Sequence, residues 1–339
     1  MVTVLIDPSL LTRPQDLPFV AQYYIFKNTK HNYGVLKSTS LSISNPPGTW
    51  KSAAKLPSYR YESGIAVLKG EIYIIGGLTL PSVYNVSKKV EVYNPKTDSW
   101  RKVHDIPKIT HHISAAASED KIYIAGGNGL RVSKYKSLYE YDPKKDTWTQ
   151  LEDMSIKRAA MGLVYFRGML YAIGGITDQG PTNLVEAYDI KTGKWSKRKP
   201  MPTAREHINA VVINNQIYIM GGFNKPHPTV PLTANEAYDP QTDTWSKKAP
   251  LPIPLSTFIV AVPGSQSIFV IGGQQNLSTS NLLFEYKINE DKWYRKKDLP
   301  VARYGHTATL VKHRIHVFGG SHKIYGYRLL QNHDIFIPQ

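Results

Sequence analysis

Imidazole and carboxylate side chains carry most of the chemistry this chain could do. It holds 11 His and 26 Asp or Glu among 339 residues, and no Cys. Lack of cysteine removes disulfides, thiolate-ligated zinc, iron–sulfur clusters and thiol nucleophiles. Acid–base catalysis and His/Glu metal binding remain, and both need side chains that converge. His111 and His112 are neighbours whose side chains diverge, and the spacing of His313 and His316 directs them to opposite sides of an extended segment. Glu62, His112 and His207 are different, because they share one register in three separate repeats, a placement that could bring them together at the channel mouth. Register alone does not define a ligand set, so no catalytic residue, no metal and no cofactor is expected. No Ser-His-Asp set can be picked out, and no Gly-rich stretch leads into a helix with Lys and Ser/Thr to cradle a phosphate.

The elements that position these groups follow from internal repetition. Double glycines fall at Gly76-Gly77, Gly126-Gly127, Gly174-Gly175, Gly221-Gly222, Gly272-Gly273 and Gly319-Gly320, in steps of 50, 48, 47, 51 and 47. Six tryptophans, Trp50, Trp100, Trp148, Trp195, Trp245 and Trp293, keep step with them. An apolar run such as Ile72-Tyr73-Ile74-Ile75 precedes each pair. Another lies upstream, joined by a tight connection such as Lys69-Gly70 or Asn214-Asn215. A third strand follows, as in Val90 to Pro95, and a fourth begins at the Trp. Four antiparallel strands, repeated radially, describe a six-bladed β-propeller. The last repeat lacks a Trp-bearing fourth strand, and Trp50 lacks a preceding double glycine. Thr49 to Leu56 is therefore expected to complete the last blade and close the ring. The expected organisation is a segment at 1–44 that the repeat does not place, in which Tyr23-Tyr24-Ile25-Phe26 could form a strand, and a propeller at 45–339.

Hydrophobic strand, Gly-Gly, Glu-x-Tyr-Asp-Pro type strand and Trp at this spacing resemble the kelch repeat. The resemblance runs from Trp50 nearly to the C-terminus. The six Trp recur in phase and are assigned to packing between blades, and Glu91, Glu186 and Glu236, also in phase, to structure.

Composition limits the partners. There are 42 Lys+Arg against 26 Asp+Glu, a net charge of +16, with 41% hydrophobic and 20% charged residues, so disorder is not expected. No apolar run approaches the roughly 18 residues of a membrane span, and a soluble protein is expected. The run from Val2 to Ile6 is broken by Asp7 and Pro8 with no basic leader, a poor signal peptide. Compartment stays open, with the cytoplasm slightly favoured and an exported form allowed. Basic clusters such as Arg101-Lys102, Lys197-Arg198-Lys199, Lys247-Lys248 and Arg295-Lys296-Lys297 fall on each blade's outermost strand, where Lys guards an edge. No motif for sequence-specific nucleic-acid binding accompanies them.

Binding is expected on the face with the longer loops, Leu78 to Lys88, Asn128 to Lys136, Ile176 to Asn183, Phe223 to Thr233, Gln274 to Ser280 and Ser321 to Gln331. At the entrance to the innermost strands stand Arg60, Thr110, Arg158, Arg205, Ser256 and Arg303. Two readings of the four arginines are open: bonding to neighbouring carbonyls, or a cationic ring for carboxylates. On the second reading, changing Arg158 and Arg205 to Ala weakens an acidic partner and leaves the fold intact.

Resemblance to peptide-binding kelch proteins implies contacts from Tyr61, His111, His207, Tyr304, Asn128, Tyr135, Phe223, Gln274 and Tyr325. The expected function is a non-catalytic module that binds a protein or peptide segment, acidic in character. The first 44 residues have no room for the BTB and BACK domains of many kelch adaptors, so a ubiquitin-ligase adaptor role is not expected. Galactose-oxidase-like relatives need a Cys-Tyr crosslink, and nitrile-specifier-like relatives a Glu-x3-Asp-x3-His motif, and both are missing. The alternative is a carbohydrate-binding or sugar-modifying protein resembling a sialic-acid mutarotase, with Glu62, His207 and Arg205 in acid–base and carboxylate-binding roles. Two glycosylation sequons, Asn85-Val86-Ser87 and Asn276-Leu277-Ser278, lie on the same loops.

Overall fold

A computed structural model describes residues 46–80, 85–130, 133–225, 230–324 and 328–338. Tyr325 and the Tyr23–Phe26 run lie outside these residues. Six four-stranded antiparallel sheets follow one another along the chain. Blade 1 consists of Gly64–Leu68, Glu71–Ile75, Val90–Asn94 and Ser99–Val103, and blade 2 of Ser114–Ala117, Ile122–Ala125, Leu138–Asp142 and Thr147–Gln150. Blade 3 runs through Gly162–Phe166, Met169–Ile173, Val185–Asp189 and Lys194–Arg198, and blade 4 through Ala210–Ile213, Gln216–Met220, Asn235–Asp239 and Thr244–Lys247. Blade 5 comprises Ser256–Val262, Ser267–Gln275, Ser278–Lys287 and Lys292–Lys296. Blade 6 takes Thr307–Val311, Arg314–Phe318 and His333–Ile337 from the C-terminal end, and its fourth strand is Thr49–Ser52. Trp50 pairs with Phe336 there, as the closure argument required.

First strands touch in sequence around the ring, that of blade 6 meeting that of blade 1. Burial falls outward. Second and third strands are almost fully covered, as in Ile72 to Ile75 and Val90 to Tyr93, because neighbouring blades pack on both faces. Fourth strands such as Lys194–Arg198 are mostly exposed, which explains the run of basic residues there. Lys296 departs from this pattern: it is buried and ion-paired with Glu285 at 2.8 Å.

Each tryptophan bonds one blade to the preceding one. Its indole Nε1 donates to the carbonyl of the residue four beyond the preceding tryptophan: Trp100 to Ala54, Trp148 to His104, Trp195 to Glu152, Trp245 to Lys199, Trp293 to Ala249, and Trp50 to Lys297, at 2.8 to 3.1 Å. The last of these closes the ring. Each indole also packs on the aromatic residue opposite it in its own sheet, from Tyr93 to Phe336, at centroid separations of 4.9 to 5.2 Å. Such pairs contribute about 0.5–1.5 kcal/mol beyond their burial.

Two residues before the tryptophan, Asp98, Asp146, Asp243 and Asp291 adopt positive φ of 49 to 53°. Each accepts from the in-sheet Tyr hydroxyl and from a backbone N–H of the preceding blade, Asp243 from Tyr238 at 2.6 Å and from Lys199 at 2.9 Å. These bonds, led by the Tyr hydroxyl, hold the Asp243 carboxyl below its usual range.

Double glycines serve the same inter-blade contact. The second N–H of each pair donates to a carbonyl at the entrance of the next blade, at 2.7 to 3.0 Å, as in Gly127 to Arg158 and Gly320 to Arg60. A Cβ on Gly126 would lie 2.3 Å from the Arg158 carbonyl oxygen, so that position excludes any side chain. The glycines thus present their N–H groups to a neighbouring blade rather than to a ligand phosphate.

Candidate functional site

Where the chain enters each first strand, two consecutive residues build the rim of the central channel, which encloses about 410 Å³. The first forms a bridge to the residue after the double glycine: Tyr61 with Leu78, His111 with Asn128, Ala159 with Ile176, Glu206 with Phe223 and Tyr304 with Ser321. The second, Glu62, His112, Ala160, His207 or Gly305, lies in the left-handed region with φ of 49 to 60°. At Glu62, His112 and Ala160 the N–H is satisfied by the preceding blade. Glu62 donates to Gly305 at 2.8 Å, His112 to Glu62 at 2.9 Å and Ala160 to His112 at 3.0 Å. Backbone hydrogen bonds therefore run along the mouth from blade 6 to blade 3, and the side chains at this position are left to line it.

That geometry brings Glu62, His112 and His207 together from blades 1, 2 and 4. One potential ligand atom from each lies within 4.8 Å of the others. His112 Nε2 is 2.9 Å from His207 Nε2 and 3.7 Å from Glu62 Oε2. His207 Nδ1 is hydrogen-bonded to Glu206, a buried carboxylate, and His111 Nδ1 lies 2.5 Å from His112 Nδ1, so these neighbours converge where divergence was expected. Gly305 makes room for this group, because a Cβ there would meet the Tyr61 ring at 2.1 Å and Glu62 Oε1 at 2.8 Å.

Electrostatics divides the histidines. Burial acts against the charge on His207, but the Glu206 carboxylate outweighs it and raises the imidazole to about 9. His111 falls to about 4, through burial and then the His207 charge. His112, buried between the other two, falls well below its usual value. Burial raises Glu62, with the His207 charge opposing. At neutral pH a single cation, His207, therefore stands in a line Glu206–His207–His112–His111 and can donate from Nε2 to a neutral His112.

The arginines require a correction. Arg60, Arg158, Arg205 and Arg303 are at most 1% exposed. Each faces a carboxylate of its own blade: Glu91 at 3.1 Å, Glu186 at 2.6 Å, Glu236 at 2.8 Å, and Asp334. Arg158 also donates to the carbonyls of Gly174, Leu184 and Ala172, and Arg205 to those of Gly221, Ala234 and Ile219. They form no cationic ring open to a partner. Of the two readings, the geometry supports the one in which they bond neighbouring carbonyls, and replacing Arg158 and Arg205 would disturb the fold. Burial likewise removes Arg205 from the sugar-carboxylate role.

Other expected contact residues lie beneath the surface more than on it. Tyr61 and Tyr304 pack edge to face at 5.1 Å with Leu78 and Leu329 in one small cluster. Phe223 is 2% exposed and packs on the His207 ring at 5.5 Å. Asn128 and Gln274 are buried, Gln274 donating to the Asn276 carbonyl at 2.8 Å. Tyr135 is half-buried, with the Lys108 ammonium 5.4 Å from its ring centre.

What the sequence reading missed is the outer layer. Among the described residues, five large hydrophobic side chains are exposed, and four of them, Leu80, Leu130, Val230 and Leu277, sit on the loops after the double glycines of blades 1, 2, 4 and 5. Apolar residues inside variable loops were the available signal. Glu206 was also missed, because its phase is filled by unrelated residues in the other blades.

Comparison with known proteins agrees with the geometry. The family described as Attractin/LZTR1 beta-propeller matches residues 84–229 and 122–328, and the Kelch motif matches residues 59–105. Kelch-like protein 40 of Xenopus laevis is 28% identical over 179 residues, covering 53% of this chain and 29% of that protein. Kelch-like protein terF of Aspergillus terreus is 30% identical over 173 residues, 47% of this chain and 35% of that protein. Kelch repeat and BTB domain-containing protein 1 of Vaccinia virus is 31% identical over 140 residues, 40% of this chain and 24% of that protein. The chain thus spans about a third or less of the length of these relatives. Six four-stranded blades, the repeated Gly-Gly and Trp contacts between them, and family matches that together run from residue 59 to 328 place this chain in the kelch-repeat β-propeller family.

Proposed function

We propose that this propeller is a non-catalytic interaction module whose long-loop face binds an acidic protein segment bearing apolar residues. The observation that carries the reading is the placement of Leu80, Leu130, Val230 and Leu277, which project from four different blades on one face. Exposed apolar groups gathered on one side of a rigid scaffold mark an interaction surface. Charge on the same loops favours acidic partners. By sequence the six loops carry Lys88, Arg131, Lys134, Lys136, Lys225, Lys323 and Arg328 against one acid, Asp178, which is ion-paired with Lys134 at 3.0 Å. Attraction for an acidic segment then comes from the loop lysines, not from the buried arginines. The kelch-like names of the relatives are consistent with a binding role.

Selection of a displayed random-peptide library on the immobilised protein tests the reading. Acidic peptides with interspersed Leu, Ile or aromatic residues should be enriched. Leu130→Ser combined with Val230→Ser and Leu277→Ser should weaken them at least about tenfold, since one buried anchor contributes more than about 1 kcal/mol. Lys134→Glu with Lys225→Glu should slow association and reduce its salt dependence. Peptides that bind all variants equally would exclude this face.

A further inference from the structure

We propose that Glu62 Oε2, His112 Nε2 and His207 Nε2 form a three-ligand site for a tetrahedral divalent metal of the zinc class, at the mouth of the channel. The proposal does not depend on the partner assigned to the loop face. Three features support it.

Donor set and spacing come first. Zinc sites with an open position use three protein ligands drawn from His and Asp/Glu, with Zn–N of about 2.0–2.1 Å and similar Zn–O distances. In a tetrahedron of that size ligand atoms stand about 3.3 Å apart. Here the two nitrogens are 2.9 Å apart, and Oε2 is 3.7 Å from the nearer one. The third pair, Glu62 and His207, has ligand atoms within 4.8 Å of each other, and rotation of the Glu62 side chain toward His207 is needed to close that side of the triangle.

The outer partners are in place as well. A metal-bound imidazole generally gives its other N–H to a carboxylate, carbonyl or water, which fixes the tautomer. Glu206, 2% exposed and beside His207 Nδ1, is such a partner. For His112 the group at Nδ1 is the ring nitrogen of His111. Both Nε2 atoms are thereby left for the ion.

The scaffold itself is rigid. Each of the three side chains leaves a left-handed residue of the rim, and the backbone N–H groups of Glu62 and His112 are bonded to the preceding blade. Ala160 stands between His112 and His207 in the ring, and Gly305, before Glu62, yields its side-chain space to the Tyr61 ring and Glu62. The site is half-buried, with side-chain exposures of 14% for Glu62, 13% for His112 and 29% for His207. Three protein ligands leave one tetrahedral position, filled by water in the free protein.

The test uses the full, untagged chain, stripped with a chelator and titrated with Zn2+ by calorimetry and with Co2+ by visible absorption. One equivalent should bind, and the cobalt form should show the intense bands of a four-coordinate site. His112→Ala and His207→Ala should each abolish the bands and weaken zinc at least about a hundredfold. Glu206→Gln should keep the stoichiometry and weaken zinc about 10–100-fold. His313→Ala, exposed on the hairpin at the far end of the blade 6 strands, should change nothing. Circular dichroism confirms that each variant is folded, and Glu62→Gln with His207→Gln offers a less disruptive second pair. No stoichiometric binding, six-coordinate cobalt, or binding that survives loss of both His112 and His207 would overturn the proposal and leave a hydrogen-bonded histidine chain.

Discussion

Blades 1, 3, 4 and 6 differ from blades 2 and 5 in one buried place. In the first group an arginine at the strand entrance meets a carboxylate two residues before the aromatic partner of the tryptophan: Glu91, Glu186, Glu236 or Asp334. In blades 2 and 5 the arginine is replaced by Thr110 and Ser256, and the carboxylate positions hold Tyr139 and Phe284. Cation and anion are present together or missing together. A buried charge is tolerated when paired and is costly alone, whereas replacing the whole pair by uncharged groups costs little. The blades show both solutions side by side in one fold, and the arginines belong to the blade rather than to a ligand.

The largest effect should come from breaking one pair. Arg205→Ala leaves Glu236 buried without its cation and should lower the unfolding free energy by about 3–5 kcal/mol in a denaturant titration. A loss under about 1 kcal/mol would refute the pairing argument. The reciprocal graft probes the other group of blades. Thr110→Arg alone should destabilise by a similar amount, and adding Tyr139→Glu should recover about 1–3 kcal/mol of it, a coupling read from a double-mutant cycle. Additive effects would show that the two positions are independent.

A smaller loss is expected at the inter-blade clamp. Asp243→Ala removes acceptors for the Tyr238 hydroxyl and the Lys199 N–H and should cost about 1–2 kcal/mol. Gly193 and Gly48 hold the same left-handed place in blades 3 and 6, so Asp243→Gly should cost less than Asp243→Ala. The reverse order would mean that the left-handed backbone conformation contributes nothing there.

Acid sensitivity gives the finest comparison. Blade 6 carries His316 where blades 1 to 4 have Tyr, 2.9 Å from His333, and burial drives the two down to about 4 and about 3. Their folded values lie below the unfolded value near 6.5, so the unfolded chain takes up protons first as pH falls. Stability contributed by the neutral rings is complete above about pH 6.5 and declines below it, by up to about 1.4 kcal/mol per histidine per pH unit until the folded values are reached. His316→Tyr should reduce the fall in melting temperature between pH 6.5 and 5.5. An unchanged slope would place the acid sensitivity in another part of the ring.

The scaffold was legible because every structural device appears several times. A tryptophan that recurs six times at one phase announces its role, and an orphan Trp50 announces the closure. Even the convergence of Glu62, His112 and His207 was visible, since a shared register in a radial repeat becomes a shared distance from one axis. The arginine partners were also on the page, in phase with Glu91, Glu186 and Glu236, but phase alone does not tell which side chains point at one another within a sheet. Loop tips were illegible for the opposite reason. Leu80, Leu130, Val230 and Leu277 occupy segments of different length, and no periodicity separates an exposed leucine there from the buried Leu78 two residues away. Glu206 acts on one histidine in one blade, so repetition could not reveal it.

The left-handed rim also separates two jobs that most sites combine. Backbone N–H groups at Glu62, His112 and Ala160 are satisfied by the preceding blade, and the residues there range from a carboxylate to a methyl group without a change in conformation. Identity at these three places, unlike at Gly305, is therefore nearly free of architectural duty. The mouth of this propeller works as a row of interchangeable letters on a fixed frame, where exchanging Glu, His or Ala rewrites the chemistry offered to solution and leaves the spelling of the fold untouched.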